Sequence, residues 1–202
     1  MSEIEFDQIR LDVLREITSI ATGNAATSLS ALLGRKVDVT VPNIMVESVE
    51  KVPEILGGGG RIASVVYFLI SGKISGSILL VLSSPESLRL ANLLTGQKVD
   101  KMENLDEMGL SALKELGNII IGSYMRVLAD ELKVRITHSV PGFAYDMLGA
   151  VLDELLAQMS LKTEYAVIME SEFIVREEVR RGHLVFILEP ETTKAIIRAL
   201  GT

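Results

Sequence analysis

The sequence predicts an α+β fold: a duplicated α/β unit about a pseudo-two-fold axis, with two long helices packed on an antiparallel-rich sheet. Three observations lead there. Residues 11–42 lie over residues 110–141 at a constant offset of 99, with 9 identities in 32 positions and no gap. Pro85-Glu86-Ser87 matches Pro190-Glu191-Thr192 at an offset of 105, each followed by a short helical pattern closed by Gly96 or Gly201. Between these matches, period-two segments alternate with helical ones. Two copies of one unit explain this better than a string of small solenoid repeats. The expected organisation is a single domain over residues 1–202, made of two repeats of about 1–100 and 101–202.

The elements follow in order. A helix is expected over about residues 7–33, then strands near 37–47, 63–71 and 75–82, and a helix near 86–95. Pro then Glu suits a helix start, because proline fits the first turn and the acid faces the positive end of the dipole. The second copy begins with a helix near 105–131, opened by the capping pattern Asn104-x-x-Glu107, and a strand near 134–140. An extra amphipathic helix near 143–159 stands where the first copy has Gly57–Gly60, which reads as a flexible connector. Strands near 164–176 and 183–189 and a helix near 191–199 complete the chain. In the strand after the first helix, Val37, Val39 and Val41 share one face; in the second copy Val134, Ile136, His138 and Val140 do. One apolar face predicts a sheet covered on one side. His138 is expected as a hydrogen-bonded core or rim residue.

Composition excludes several chemistries. The net charge is −7, from 27 acidic and 20 basic residues, with no basic block, which argues against nucleic-acid binding. There is no cysteine, so disulfides, thiolate zinc sites and a thiol nucleophile are out. The two histidines, His138 and His183, are far apart, which disfavours a histidine-rich metal site or a Ser-His-Asp triad. The longest fully apolar run is Val65–Ile70 and the N-terminus is acidic, so no spanning helix or signal peptide is expected. The expectation is a soluble cytoplasmic protein. No phosphate-binding glycine motif is present.

The long helices each carry a polar stripe. A helix turns about 100° per residue, so with Ser111 at zero, Glu115, Asn118 and Gly122 fall within about 40° of it. Leu113, Leu116, Ile120, Tyr124 and Val127 lie on the opposite side and are expected to be buried. In the first helix the stripe is Asp12, Glu16, Ser19 and Gly23, and the buried face is Leu14, Ile17, Ala21, Ala25 and Leu32. Glycine inside a helix costs about 1 kcal/mol against alanine, yet both helices carry one at the same place. Close approach of another molecule and close packing of the two helices on each other both account for it.

Asn118 is followed by Pro141 after 22 intervening residues, and Ser19 by Pro42 after the same number. The pattern [Asp/Ser]-x-x-x-Glu-x-x-Asn-x22-Pro resembles the signature of the CheC/CheX/FliY family of chemotaxis phosphatases. It stands here as Ser111, Glu115, Asn118 and Pro141, and again as Asp12, Glu16, Ser19 and Pro42. The stretches REITSIATGNAATSLSALLGRKVDVTVPNI, LDEMGLSALKELGNIIIGSYMRVLADEL and PGFAYDML are also similar to the CheC type. Two copies in one chain fit that type better than the single-copy CheX type. They also fit it better than the FliY type, whose added flagellar-switch domain has no counterpart expected before Thr202.

The resemblance implies a phosphatase that hydrolyses the aspartyl phosphate of the response regulator CheY. It implies that Asn118 holds the attacking water, that Glu115 pairs with a regulator lysine, and that Gly122 lets the backbones come close. Ser111 would be a peripheral partner contact, and Asp12 and Gly23 would be partner contacts on the first helix. A neutral amide suits the role of Asn118, since it both donates and accepts, whereas a carboxylate would repel phosphate. Serine replaces the family's asparagine at position 19, and its hydroxyl is too short for the same reach. Glu16 and Ser19 therefore read as a degenerate site, which Asn24, about 120° from the stripe, does not rescue. No cofactor of the chain's own is implied, because Mg²⁺ would come with the phosphorylated regulator. The receptor deamidase CheD is a further implied partner, meeting Asp146 on the expected 143–159 helix. The alternative is a weakly active or non-enzymatic adaptor that binds phosphorylated CheY and CheD. A monomer is expected, since two copies in one chain satisfy the two-fold internally.

Overall fold

The structure, a computed structural model, describes residues 8–158, 165–175 and 177–192. In chain order its elements are α1 (Gln8–Leu33), β1 (Val37–Ser48), a 3-10 turn (Val49–Lys51) leading into α2 (Val52–Ile55), β2 (Ile62–Gly72), β3 (Gly76–Ser83) and α3 (Ser84–Thr95). The second copy has α4 (Glu107–Leu132), β4 (Ile136–His138), β5 (Gly142–Met147), α5 (Leu148–Gln158), β6 (Tyr165–Val175) and β7 (Glu178–Leu188). Residues 190–192 are helical; the rest of the expected last helix lies outside the described residues. The duplication is visible in the boundaries. Both long helices have 26 residues and start and end 99 positions apart. Each is followed by a residue in the left-handed region, Gly34 at φ 61° and Lys133 at φ 51°.

One antiparallel sheet runs in the order β1-β6-β7-β3-β2-β4, with β5 also paired to β2. The order reads the same from either end once equivalent strands are exchanged. β3 and β7 pair at the centre, with Ile78 opposite Phe186. The first strand of each copy joins the hairpin of the other: β1 pairs β6, and β4 pairs β2. The copies are thus interlocked, and separating them would leave ladder hydrogen bonds unmade. Pro42, which has no N–H to donate, sits where the β1–β6 register shifts between Thr40 and Asn43.

The sheet expected to be covered on one side is covered on both. Val66, Phe68, Ile78, Leu80 and Leu82 face a core shared with α1, α3 and α4. The alternate residues Val65, Leu79, Val81 and Val185 face Leu148, Val151, Leu152 and Leu155 of α5 and Val52 and Leu56 around α2. β3 is accordingly buried from Gly76 through Leu82. No described helix is long and apolar enough to cross a membrane.

Several local expectations are corrected. The cap of α4 is Asp106, whose carboxylate accepts from the Gly109 N–H at 2.9 Å. Asn104 instead closes a 3-10 turn, Met102–Asn104, anchored by buried Met102. The Gly109 N–H, and after it the Gln97 amide, hold the Asp106 carboxyl below its usual range. The 143–159 helix divides into β5 and α5, because residues 142–147 pair with residues 62–67 of β2. The strand near 134–140 shortens to Ile136–His138, leaving Val140 85% exposed. Leu29, not Leu32, is buried in α1; Leu32 is half exposed. The glycine run is no loose connector: Gly58 N–H donates to Pro53 O at 2.8 Å, and Gly59 O accepts from Gly149 N–H at 2.9 Å.

His183 on β7 faces Glu170 across the β6–β7 ladder. Burial lowers its imidazole below the ordinary value near 6.5; Glu170 opposes the shift and Arg61 adds to it. The fold therefore favours neutral His183. Its contribution to stability is complete above about pH 6.5 and is lost as pH falls below that value toward the depressed folded one. The wild type should lose more melting temperature than His183→Gln between about pH 7 and pH 5; equal losses would exclude His183 as the cause.

Candidate functional site

The site is built on the outer side of the long helices. α4 is held down by Leu113, Leu116, Ile120, Ile121, Tyr124 and Leu128. Gly117 lets it sit low: a Cβ there would lie 2.5 Å from Val66 Cγ1 of β2. With that face buried, the neighbouring stripe is left to solvent. Ser111 and Glu115 are exposed, and Asn118 and Gly122 are half-buried. Asn118 Nδ2 donates to Glu115 Oε2 at 3.4 Å. This bond is long and exposed, so it orients the carboxamide loosely and leaves its oxygen outside the pair. Beneath the site, burial raises the Tyr124 phenol above its usual range, opposed by the neighbouring Thr18 hydroxyl.

On α1, Glu16, Ser19 and Gly23 are exposed, as the stripe predicts. Asp12 occupies the matching position, one turn before Glu16; its side chain is outside the described residues. The two open explanations for the paired glycines now separate. A Cβ on Gly23 or Gly122 would meet nothing within 4 Å. Among the described residues, packing of α1 on α4 does not require either glycine. The glycine that packing does require, Gly117, was not singled out by the repeat because Thr18 takes its place in the first copy.

Three residues come together here that the sequence had kept apart. A groove of about 640 Å³ runs between α1, α4 and β4, and its walls include Asn118, Gly122, Arg126, Asn24, Thr27 and His138. Asn24 is off the stripe of its own helix, yet it faces α4 across this groove. His138 is a rim residue, exposed, with Nδ1 2.8 Å from Ser139 O and its ring edge-on to Phe68 at 5.4 Å. Arg126 is eight residues after Asn118, at about 60° from Ser111 and so just beside the stripe; that spacing was the available signal. Asp146 lies on β5, not on a helix, opposite Ala63; it is exposed and accepts from the Met147 N–H at 2.7 Å.

The protein is an interlocked two-fold α/β fold that presents a carboxylate–carboxamide pair and bare helical glycines on the outer side of its long helices. The sequence pattern of the CheC-like family matches residues 9–46 and again residues 108–145, the two stretches that carry the stripes. The CheY-P phosphatase CheC of Bacillus subtilis (strain 168) is 30% identical over 196 residues, 95% of this chain and 94% of its own. This chain belongs to the CheC-like family. The flagellar motor switch phosphatase FliY of the same bacterium is 30% identical over 138 residues, covering 68% of this chain and 36% of that protein. Among solved structures, Thermotoga maritima FliY has the same fold, with a TM-score of 0.78 over 98% of both chains at 24% identity. The FliM middle domain of H. pylori shares it at a TM-score of 0.70, covering 96% of this chain and 99% of that one, at 13% identity.

Proposed function

We propose that the chain hydrolyses the aspartyl phosphate of a CheY-type response regulator docked on the α4 stripe. The observation that carries this is the outward Asn118–Glu115 pair beside a glycine whose Cβ space is empty. Hydrolysis of an acyl phosphate needs a water in line with phosphorus and stabilisation of the charge on the equatorial oxygens. The water oxygen bonds to phosphorus, the bond from phosphorus to the aspartyl oxygen breaks, and the products are inorganic phosphate and the free carboxylate. Asn118 positions the water; Glu115 pairs with a cation on the regulator and fixes its register against α4. The regulator brings the phosphoryl group and its Mg²⁺. Ser111, one turn before Glu115, is a rim contact. The CheY-P phosphatase named among the relatives supports this choice of substrate.

The first copy is proposed as a degenerate site, because Ser19 offers a short hydroxyl where Asn118 offers a carboxamide. Ser19→Asn should raise the rate of regulator dephosphorylation; an unchanged rate with an intact fold would show that Glu16 and its surroundings no longer form a site. The alternative is an adaptor that holds phosphorylated CheY, and CheD, without hydrolysis. A chain that binds the phosphorylated regulator and leaves its decay unaltered would establish that reading.

A further inference from the structure

The groove beside Asn118 has a second asymmetry between the copies. Superposing the repeats at their offset of 99 places Arg126 on Thr27 and His138 on Val39. The copy that keeps the carboxamide at Asn118 is also the one with cationic and titratable groups in the groove. No carboxylate among the described residues lines it, on a chain whose net charge is −7. Arg126 is exposed and makes no ion pair or hydrogen bond among the described residues, whereas Arg89, Arg180 and Arg181 each pair with a glutamate.

We propose that this groove is a second docking subsite for the phosphorylated regulator, in which the Arg126 guanidinium receives a carboxylate from the regulator's surface. The inference rests on the docking reading above and adds to it a contact remote from the phosphoryl group. Eight residues of helix put Arg126 about 12 Å along the axis from Asn118. That is too far for Arg126 to reach a phosphoryl group held at Asn118, so it acts on affinity and orientation. The guanidinium fork matches a carboxylate with two parallel bonds and keeps its charge at any working pH. Gly122 lies between the two residues along α4 and also lines the groove, so one partner surface can lie across all three. The partner is a carboxylate on the regulator and not a free anion, because Asn118 and Gly122 of the proposed interface themselves line the groove. A fixed positive charge there also steers an acidic protein toward an otherwise acidic chain.

The test follows decay of the phosphorylated regulator at low and at physiological salt with Arg126→Ala, Arg126→Glu, Arg126→Lys and Asn118→Ala. Arg126→Glu should raise KM about tenfold or more at low salt, with a much smaller change in kcat, and should flatten the salt dependence of kcat/KM. Arg126→Ala should fall between, and Arg126→Lys should recover part of the loss. Titration of the beryllofluoride-activated regulator reads the same subsite without hydrolysis. An unchanged dissociation constant for Arg126→Glu would overturn the subsite while leaving Asn118 in place. Full activity of Asn118→Ala would instead overturn the proposed chemistry, and the titration would still decide the role of Arg126. Weakened binding of inorganic phosphate by Arg126→Glu, with regulator affinity unaltered, would assign the groove to a small anion and also overturn the proposal.

Discussion

Asn118→Ala should abolish most of the phosphatase activity, by about 3 kcal/mol in the barrier or roughly a hundredfold in rate. The expected size is that of deleting the one polar group proposed to position the attacking water. The fold should tolerate the change. Asn118 is half-buried, and the bond it makes, to Glu115, is 3.4 Å long and exposed. Substitutions at such positions usually move stability by less than about 0.5 kcal/mol. The measurement is the decay rate of the phosphorylated regulator with purified variant, beside a melting curve. Decay at the wild-type rate would remove Asn118 from the mechanism. Asn118→Asp is the informative companion: it keeps the shape, removes the donor and places negative charge against the phosphoryl oxygens, so it too should be inactive.

Gly117→Ala and Gly122→Ala should move stability in opposite directions, although the residues are little more than one turn apart. At Gly117 the new methyl would enter Val66 on β2, at 2.5 Å from Cγ1 and 2.9 Å from Cβ. Both atoms belong to a buried, stiff β-branched side chain, so α4 must lift from the sheet. Overpacking of this kind costs about 1–3 kcal/mol. At Gly122 the methyl meets nothing within 4 Å, and helix propensity alone predicts a gain of up to about 1 kcal/mol. The function should respond the other way. Gly122→Leu, with its side chain in the space where the regulator is proposed to dock, should weaken binding while the chain remains folded. Thermal melts and regulator titrations on the same variants check both halves. A destabilised Gly122→Ala, or a Gly122→Leu that binds as wild type, would contradict the assignment of Gly122 to an interface.

The readable parts of this protein are those set within one turn or one pleat. The stripe of Ser111, Glu115, Asn118 and Gly122 followed from a rotation of about 100° per residue, and all four lie exposed or half-buried on α4. The buried series Leu113, Leu116, Ile120, Tyr124 and Val127 held at every position. The misplaced cap shows how near such signals can lie. Asn104-x-x-Glu107 has the form of a capping box, but Met102 and Leu105 are drawn into the core, and Asp106 is left as the last extended residue before the helix. Residues 143–147 failed for a different reason. Phe143, Ala144, Tyr145 and Met147 are compatible with a helix, but their backbone groups are claimed by β2, and Gly142 fits beneath the Tyr67 ring.

The duplication, the two long helices with their polar stripes, and the inequality between Asn118 and Ser19 can all be read along the chain. Each of these is encoded in identity at one position or in a period of a few residues. Long-range packing sets the rest: the copies exchange strands, α5 closes the second face of the sheet, and Asn24, Arg126 and His138 meet around one groove. These depend on which distant backbone groups satisfy one another and which side chains then share a volume. Such pairings join residues as far apart as Val37 and Val175, a separation at which local periodicity carries no information.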